Sequence, residues 1–243
     1  MRHISRIAAA ISPALLLIAG CGHHAKVAYA PPPPVAYPET QPAARYPQQY
    51  PSQRAQEEAP LGRPILSEVG IASWYGPPYN NRLGANGKIY NQNAITAANR
   101  TLPMGSLIRV TNLRTGQSAM MHITDRGPFV PGRILDLSVG AAKAVGVYLP
   151  GIARVRMDVY QTPSPMNGGR WCVQIGAFHH SGIAKKLERR LAQEYESASV
   201  IEFTGPTGYW VRIRPENGNH SQAVEIANSV KPREGDAYLV RLD

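Results

Sequence analysis

The chain has 243 residues, 43% hydrophobic and 17% charged, with 26 Lys/Arg against 16 Asp/Glu and a formal net charge of +10. This length and apolar content exclude a wholly disordered chain and leave room for more than one packed domain. Only Cys21 and Cys172 are present, which excludes a disulfide-stapled scaffold.

Residues Met1 to Arg6 form a basic start, and Ile7 to Ala19 an apolar stretch too short to cross a bilayer comfortably. It ends in Ile18-Ala19-Gly20-Cys21, which resembles a bacterial lipobox. That resemblance implies removal of residues 1–20 as a signal peptide and lipidation of Cys21. Acyl chains on Cys21 would then hold the protein to a membrane, and Gly22 after the cysteine favours the outer one. Consuming Cys21 leaves Cys172, between Trp171 and Val173, as a buried and inert thiol.

Residues 21–67 read as a tether. Pro31 to Pro34 open a proline-rich stretch with no helical or alternating period. In polyproline geometry such a segment reaches roughly 100–140 Å. Charge beyond it is uneven: residues 68–160 hold ten Lys/Arg against four Asp/Glu, whereas residues 170–243 hold ten against nine. The basic excess of the first region suggests an anionic polymer as its partner. The export signal argues against nucleic acid and leaves peptidoglycan.

Residues 68–160 read as a mainly β domain. Strands are expected over Glu68–Tyr75, Ala94–Ala98, Leu107–Leu113, Gln117–Thr124 and Ala153–Tyr160, with one helix, Val139–Val145, capped by Ser138. Many short strands with a single helix suggest a small closed barrel. The fourth strand runs into Asp125-Arg126-Gly127-Pro128-Phe129, so Asp125 sits where a strand opens into a turn. Asp136 lies in a second apolar run, Ile134–Leu137, and needs a partner or a raised pKa if that run is buried. Two carboxyls in different surroundings suit acid/base work on a glycosidic bond. The plainer reading is that Asp125 caps its turn or pairs with Arg126 or Arg133.

Ala72-Ser73-Trp74-Tyr75-Gly76, Ala85-Asn86-Gly87, Leu102-Pro103-Met104-Gly105, Val110-Thr111-Asn112-Leu113, Asp125-Arg126-Gly127-Pro128-Phe129 and Ile134-Leu135-Asp136-Leu137-Ser138 follow in the order of the rare lipoprotein A family, which this region resembles. The resemblance implies a double-psi β-barrel and a lytic transglycosylase that cuts glycan strands lacking stem peptides. It needs no metal or other cofactor, because the substrate supplies the attacking oxygen. On this reading Asp125 is the catalytic acid/base and Asp136 orients the site or tunes Asp125. Trp74, Tyr75 and Arg126 would contact the sugar.

The family usually has Glu after Ala-Asn-Gly and His after Ala-Ala; here those positions are Lys88 and Asn99. Neither can replace a titrating acid near neutral pH. They are kept as substrate-binding candidates, and they favour an alternative in which the barrel binds or loosens wall glycan without cutting it. His122 points to the opposite strand face from Asp125.

Residues 161–169 form a second linker. Beyond it, residues 170–243 read as strand Trp171–Ile175, helix Gly182–Tyr195, strands Ser199–Phe203 and Tyr209–Arg214, helix Ser221–Val230 and strand Ala237–Leu242. This is a small ferredoxin-like, split βαβ fold. Val173 to Phe178 with Tyr209 to Ile213 resembles the SPOR domain of bacterial division proteins. That resemblance implies binding of denuded septal glycan on an exposed sheet face, with Gln174, Trp210 and Arg212 on it.

Overall fold

The computed structural model describes residues 62–202 and 208–243. The signal sequence, Cys21 and the proline-rich stretch up to residue 61 lie outside the described residues.

Six strands close a barrel: β1 (Leu66–Trp74), β2 (Thr96–Ala98), β3 (Leu107–Asn112), β4 (Ser118–Asp125), β5 (Arg133–Leu137) and β6 (Ala153–Gln161), with helix α1 (Val139–Ala144) between β5 and β6. The order around the barrel is β1-β5-β2-β4-β3-β6, in keeping with the double-psi barrel. Alternation decides which side chains enter it. Ile108 and Val110 of β3, Met121 and Ile123 of β4, and Val155, Met157 and Val159 of β6 are buried together, while His122 is exposed. Asp158, also buried, is satisfied by the Ser67 hydroxyl at 2.6 Å and Arg156 Nε at 3.0 Å.

Strand β2 is shorter than its apolar run. Ala94 N–H bonds Asn91 O in a turn, and Ala94 O accepts from the Ser138 hydroxyl at 2.5 Å, so neither group joins the ladder. The same Ser138 oxygen accepts from Ala141 N–H and caps α1. Gly140 is required in that helix because a Cβ there would stand 2.3 Å from Asn93 O.

The second domain comprises β7 (Trp171–Phe178), α2 (Ser181–Leu191), β8 (Ser199–Glu202), β9 (Tyr209–Ile213), α3 (His220–Ser229) and β10 (Asp236–Arg241). Its antiparallel sheet has the order β10-β7-β9-β8, the order of a split βαβ fold. Trp171, Val173 and Ile175 face a core shared with Leu187 and Leu191 of α2 and Ala223 and Ile226 of α3. Helix α2 ends four residues earlier than its period suggests: the chain tightens into a turn, Glu194 N–H bonding Leu191 O at 3.1 Å, and Tyr195 packs against that core. The opposite sheet face carries Cys172, Trp210, Tyr238 and Val240, with Phe129 of the barrel packed on them. Strand β7 is therefore covered on both sides, which accounts for its nearly continuous apolar sequence.

Candidate active site

Strand β2 lies between β4 and β5, and Ala98 pairs with Asp125 on one side and Asp136 on the other. The two aspartates thus flank a small side chain in one row, their main chains two strand spacings or roughly 10 Å apart. Gly127 borders this row at φ +143°, a backbone conformation that side-chain-bearing residues rarely adopt.

Asp125 is half-buried at the end of β4. Its Oδ1 accepts from Ala85 N–H at 3.0 Å and from Arg126 N–H at 2.8 Å. Burial pushes its pKa above the usual carboxylate value, while the two N–H groups and the Arg126 charge pull the other way. Ala85 is supplied by a hairpin that the sequence reading missed. Its ladder is Tyr90 N–H to Arg82 O, Gly84 N–H to Lys88 O, and a bridge between Leu83 and Ile89.

Asp136 sits deeper, its side chain 16% exposed. Its Oδ1 accepts from the Ser73 hydroxyl at 2.5 Å, and Arg133 Nη2 lies 3.3 Å away. Arg133 therefore pairs with Asp136 and not with Asp125. Burial raises the Asp136 pKa too; Arg133 and Ser73 oppose the shift, and the Asp125 charge adds to it. Ser73 could have been found only from the register that sets it opposite Asp136.

Tyr75 stacks on Tyr90 at 4.5 Å and meets Tyr79 edge-on. Burial, followed by the Asp125 charge, drives its pKa well up, so the phenol keeps its proton and can donate. Its hydroxyl has no hydrogen-bond partner among the described residues.

Residues 67–157 match the family model described as lytic transglycolase, and residues 167–241 match the SPOR domain. A probable endolytic peptidoglycan transglycosylase RlpA of Synechocystis is 56% identical over 92 residues, covering 38% of this chain and 29% of that protein. An endolytic peptidoglycan transglycosylase RlpA of Vibrio cholerae is 37% identical over 150 residues, covering 58% and 57%. A Pasteurella multocida protein of the same name is 44% identical over 132 residues, covering 54% and 41%. The chain thus carries a domain of the family described as lytic transglycolase followed by a C-terminal SPOR domain, and it resembles the RlpA proteins. It spans less than two thirds of the length of these relatives.

In this barrel the remaining candidates divide sharply. Trp74 packs on the core, its indole N–H donating to Tyr148 O at 3.1 Å and its ring 4.8 Å from Tyr148. Lys88 is exposed on the hairpin that supplies Ala85. Asn99 is buried, 5% exposed, and both ends of its amide serve the main chain: Oδ1 accepts from Thr101 and Leu102 N–H, and Nδ2 donates to Ile134 O. Arg126 Nη1 donates to Asn99 O and Leu102 O, and Nη2 to Asp243 O at 2.6 Å. Burial, helped by Arg241, pushes the Arg126 pKa down to about 10. Asn99 and Arg126 are thus built in as braces.

In the SPOR domain, Arg212 Nη2 donates to Gln174 Oε1 at 3.0 Å, so these two meet as expected. Their sheet face is not open. Gln174 and Trp210 are each 1% exposed, and Phe129 covers the face at Trp210, 5.0 Å from its ring. Nothing in the sequence signals that contact between distant segments. Cys172 is free and buried, and among the described residues no three His, Cys, Asp or Glu side chains cluster as a metal site.

Proposed function

We propose that the protein is an endolytic lytic transglycosylase that cuts peptidoglycan glycan strands lacking stem peptides and leaves 1,6-anhydromuramyl ends. The observation that carries this reading is Asp125: half-buried, fixed by two main-chain N–H groups, with its pKa raised. A carboxyl in that state donates its proton to the glycosidic oxygen as the C1–O bond to N-acetylglucosamine breaks. The resulting carboxylate then takes the proton of the muramyl C6 hydroxyl as that oxygen bonds to C1 and closes the anhydro ring. Proton and electron pairs balance without water or a cofactor, and both transfers use one carboxyl.

Asp136 positions the site from behind Ala98, and we assign Tyr75, stacked on Tyr90, to the wall of the substrate site. The names of the relatives support the activity. We assign Gln174, Trp210 and Arg212 to glycan capture by the SPOR domain. The lipid on Cys21 would anchor the protein in the outer membrane facing the periplasm, and capture of denuded glycan would enrich it at the division septum. A binder tethered to a slow catalyst raises the local substrate concentration and compensates in part for its rate.

A second reading, a non-cutting wall-binding or wall-loosening protein, is favoured by Lys88 and by the fully engaged Asn99 amide. Digestion of amidase-treated sacculi separates the two. Anhydromuramyl products from the wild type and none from Asp125→Asn support cleavage; sedimentation with sacculi and no products from either supports binding alone.

A further inference from the structure

The loop that begins at Asp125 reaches the SPOR sheet. Phe129 stands 5.0 Å from the Trp210 ring and 5.6 Å from that of Tyr238, closing a cluster with Cys172 and Val240. Arg126 bonds Asp243 O. Arg100 donates to Pro128 O and Arg133 O, and its guanidinium lies over the Tyr238 ring at 5.5 Å. Arg241 N–H donates back to Arg100 O. The segments that hold Asp125 and Asp136 therefore rest together on β9 and β10.

The covered face is also unfinished. Gln174 and Arg212 are register partners on β7 and β9. Gln174 Nε2 and Arg212 Nε are buried with no hydrogen-bond partner among the described residues. Buried donors without acceptors are costly, and Phe129 has nothing to offer them. An aromatic ring beside unpaired amide and guanidinium donors matches a sugar, which has apolar ring faces and hydroxyl or acetamido oxygens.

We infer that this sheet face is one seat with two occupants: Phe129 fills it in the free protein, and a denuded glycan strand that takes it displaces Phe129 and releases the loop carrying Asp125. The inference rests on the glycan-binding reading above and adds that capture by the second domain and the conformation of the barrel site are linked. A ligand that must first expel a resident group binds more weakly by the fraction of time the seat is empty. Linkage is reciprocal, so whatever loosens Phe129 tightens glycan binding.

The test uses the full chain in an Asp125→Asn background, so that the ligand survives, and purified glycan chains freed of stem peptides. Replacing Phe129 with Ala should tighten binding, roughly tenfold if the seat is filled nine-tenths of the time. Amide exchange of residues 126–130 should speed up when glycan binds the protein with Phe129 intact. Equal or weaker binding by a folded Phe129→Ala variant, or unchanged exchange in that loop, overturns the shared seat and leaves glycan binding standing. If Phe129→Ala does not fold, the exchange measurement decides alone. No binding by either protein removes the glycan reading and this inference with it.

Discussion

The ends of β4 and β5 present the same side chain on either side of Ala98 and surround it differently. At β4 the Asp125 carboxyl is held by two main-chain N–H groups on a half-exposed rim. At β5 the Asp136 carboxyl is sunk against Arg133 and the Ser73 hydroxyl. Main-chain dipoles fix orientation without full charge, so burial prevails at Asp125 and its pKa rises. A guanidinium and a short hydroxyl contact commit Asp136 to a partner already inside the protein. Burial raises both pKa values, so it is exposure, not protonation, that separates the carboxyl able to reach substrate from the one held inside the protein.

Replacing Asp125 with Asn tests the first half of this contrast and should have the largest effect. Asn still accepts from Ala85 and Arg126 but cannot protonate a leaving group, so turnover should fall by about 10²–10⁴ with the folding transition little changed. Anhydromuramyl ends counted by mass spectrometry give the rate. An Asp125→Asn protein as active as the wild type would end the assignment. Asp136→Asn should reverse the pattern, with a smaller loss of turnover and a larger loss of stability. It leaves Arg133, 21% exposed, without its counter-charge, at a cost of about 1–3 kcal/mol. For a protein of this size that lowers Tm by about 2–4 °C per kcal/mol. A purely catalytic Asp136 would leave Tm where it is.

Asn99→Ala addresses the brace behind both carboxyls. It removes the acceptor for Thr101 and Leu102 N–H and the donor to Ile134 O, and should destabilise by about 1–3 kcal/mol. Asn99→His should also destabilise, because the pocket is built for an amide. A gain of activity in Asn99→His without loss of Tm would show that the amide network is dispensable.

The pH dependence of stability follows from the two raised pKa values. A carboxyl that holds its proton more tightly folded than unfolded stabilises the fold fully below its unfolded value, near 3.9. That contribution is lost as pH rises through the higher folded value. Wild-type Tm should therefore fall, relative to an Asp125→Asn/Asp136→Asn protein, as pH climbs from the ordinary carboxylate range through the raised one. The slope should stay below about 1.4 kcal/mol per pH unit for each group, and further below it at Asp125, which solvent partly screens. A relative Tm that rises over that window would mean that Arg133 and the N–H groups outweigh burial.

Much of this arrangement is legible in the sequence. The clean alternation of Leu107–Leu113 and Ala153–Tyr160 and the stripe of Ile183, Leu187 and Leu191 specify the elements, since period alone decides which face is apolar. Asp125 stood out because Gly127-Pro128 ends a strand beside it. What stayed hidden depends on register and on distant contacts. Ser73 faces Asp136, Ala98 lies between the carboxyls, Ala85 N–H comes back from a hairpin that starts at Arg82, and Phe129 covers Trp210. The motif around Trp210 reads as an open sheet face, and only the packing of one domain on the other closes it.

The smallest expected effect belongs to Lys88→Ala. Lys88 is exposed on the Arg82–Tyr90 hairpin, whose hold on Asp125 runs through the main chain: Lys88 O accepts from Gly84 N–H, and Ala85 N–H donates to Oδ1. Trimming the side chain leaves those bonds in place, so stability should move by no more than about 0.5 kcal/mol. What is lost is one of the ten positive charges counted over residues 68–160, an exposed charge whose pairing with an anionic strand contributes about 0–1 kcal/mol. Affinity for sacculi should therefore weaken slightly at low salt and match the wild type near 1 M, where screening acts within about 3 Å. A deep loss of turnover in Lys88→Ala that survives high salt would put a second working group beside Asp125 and undo the contrast between the two carboxyls.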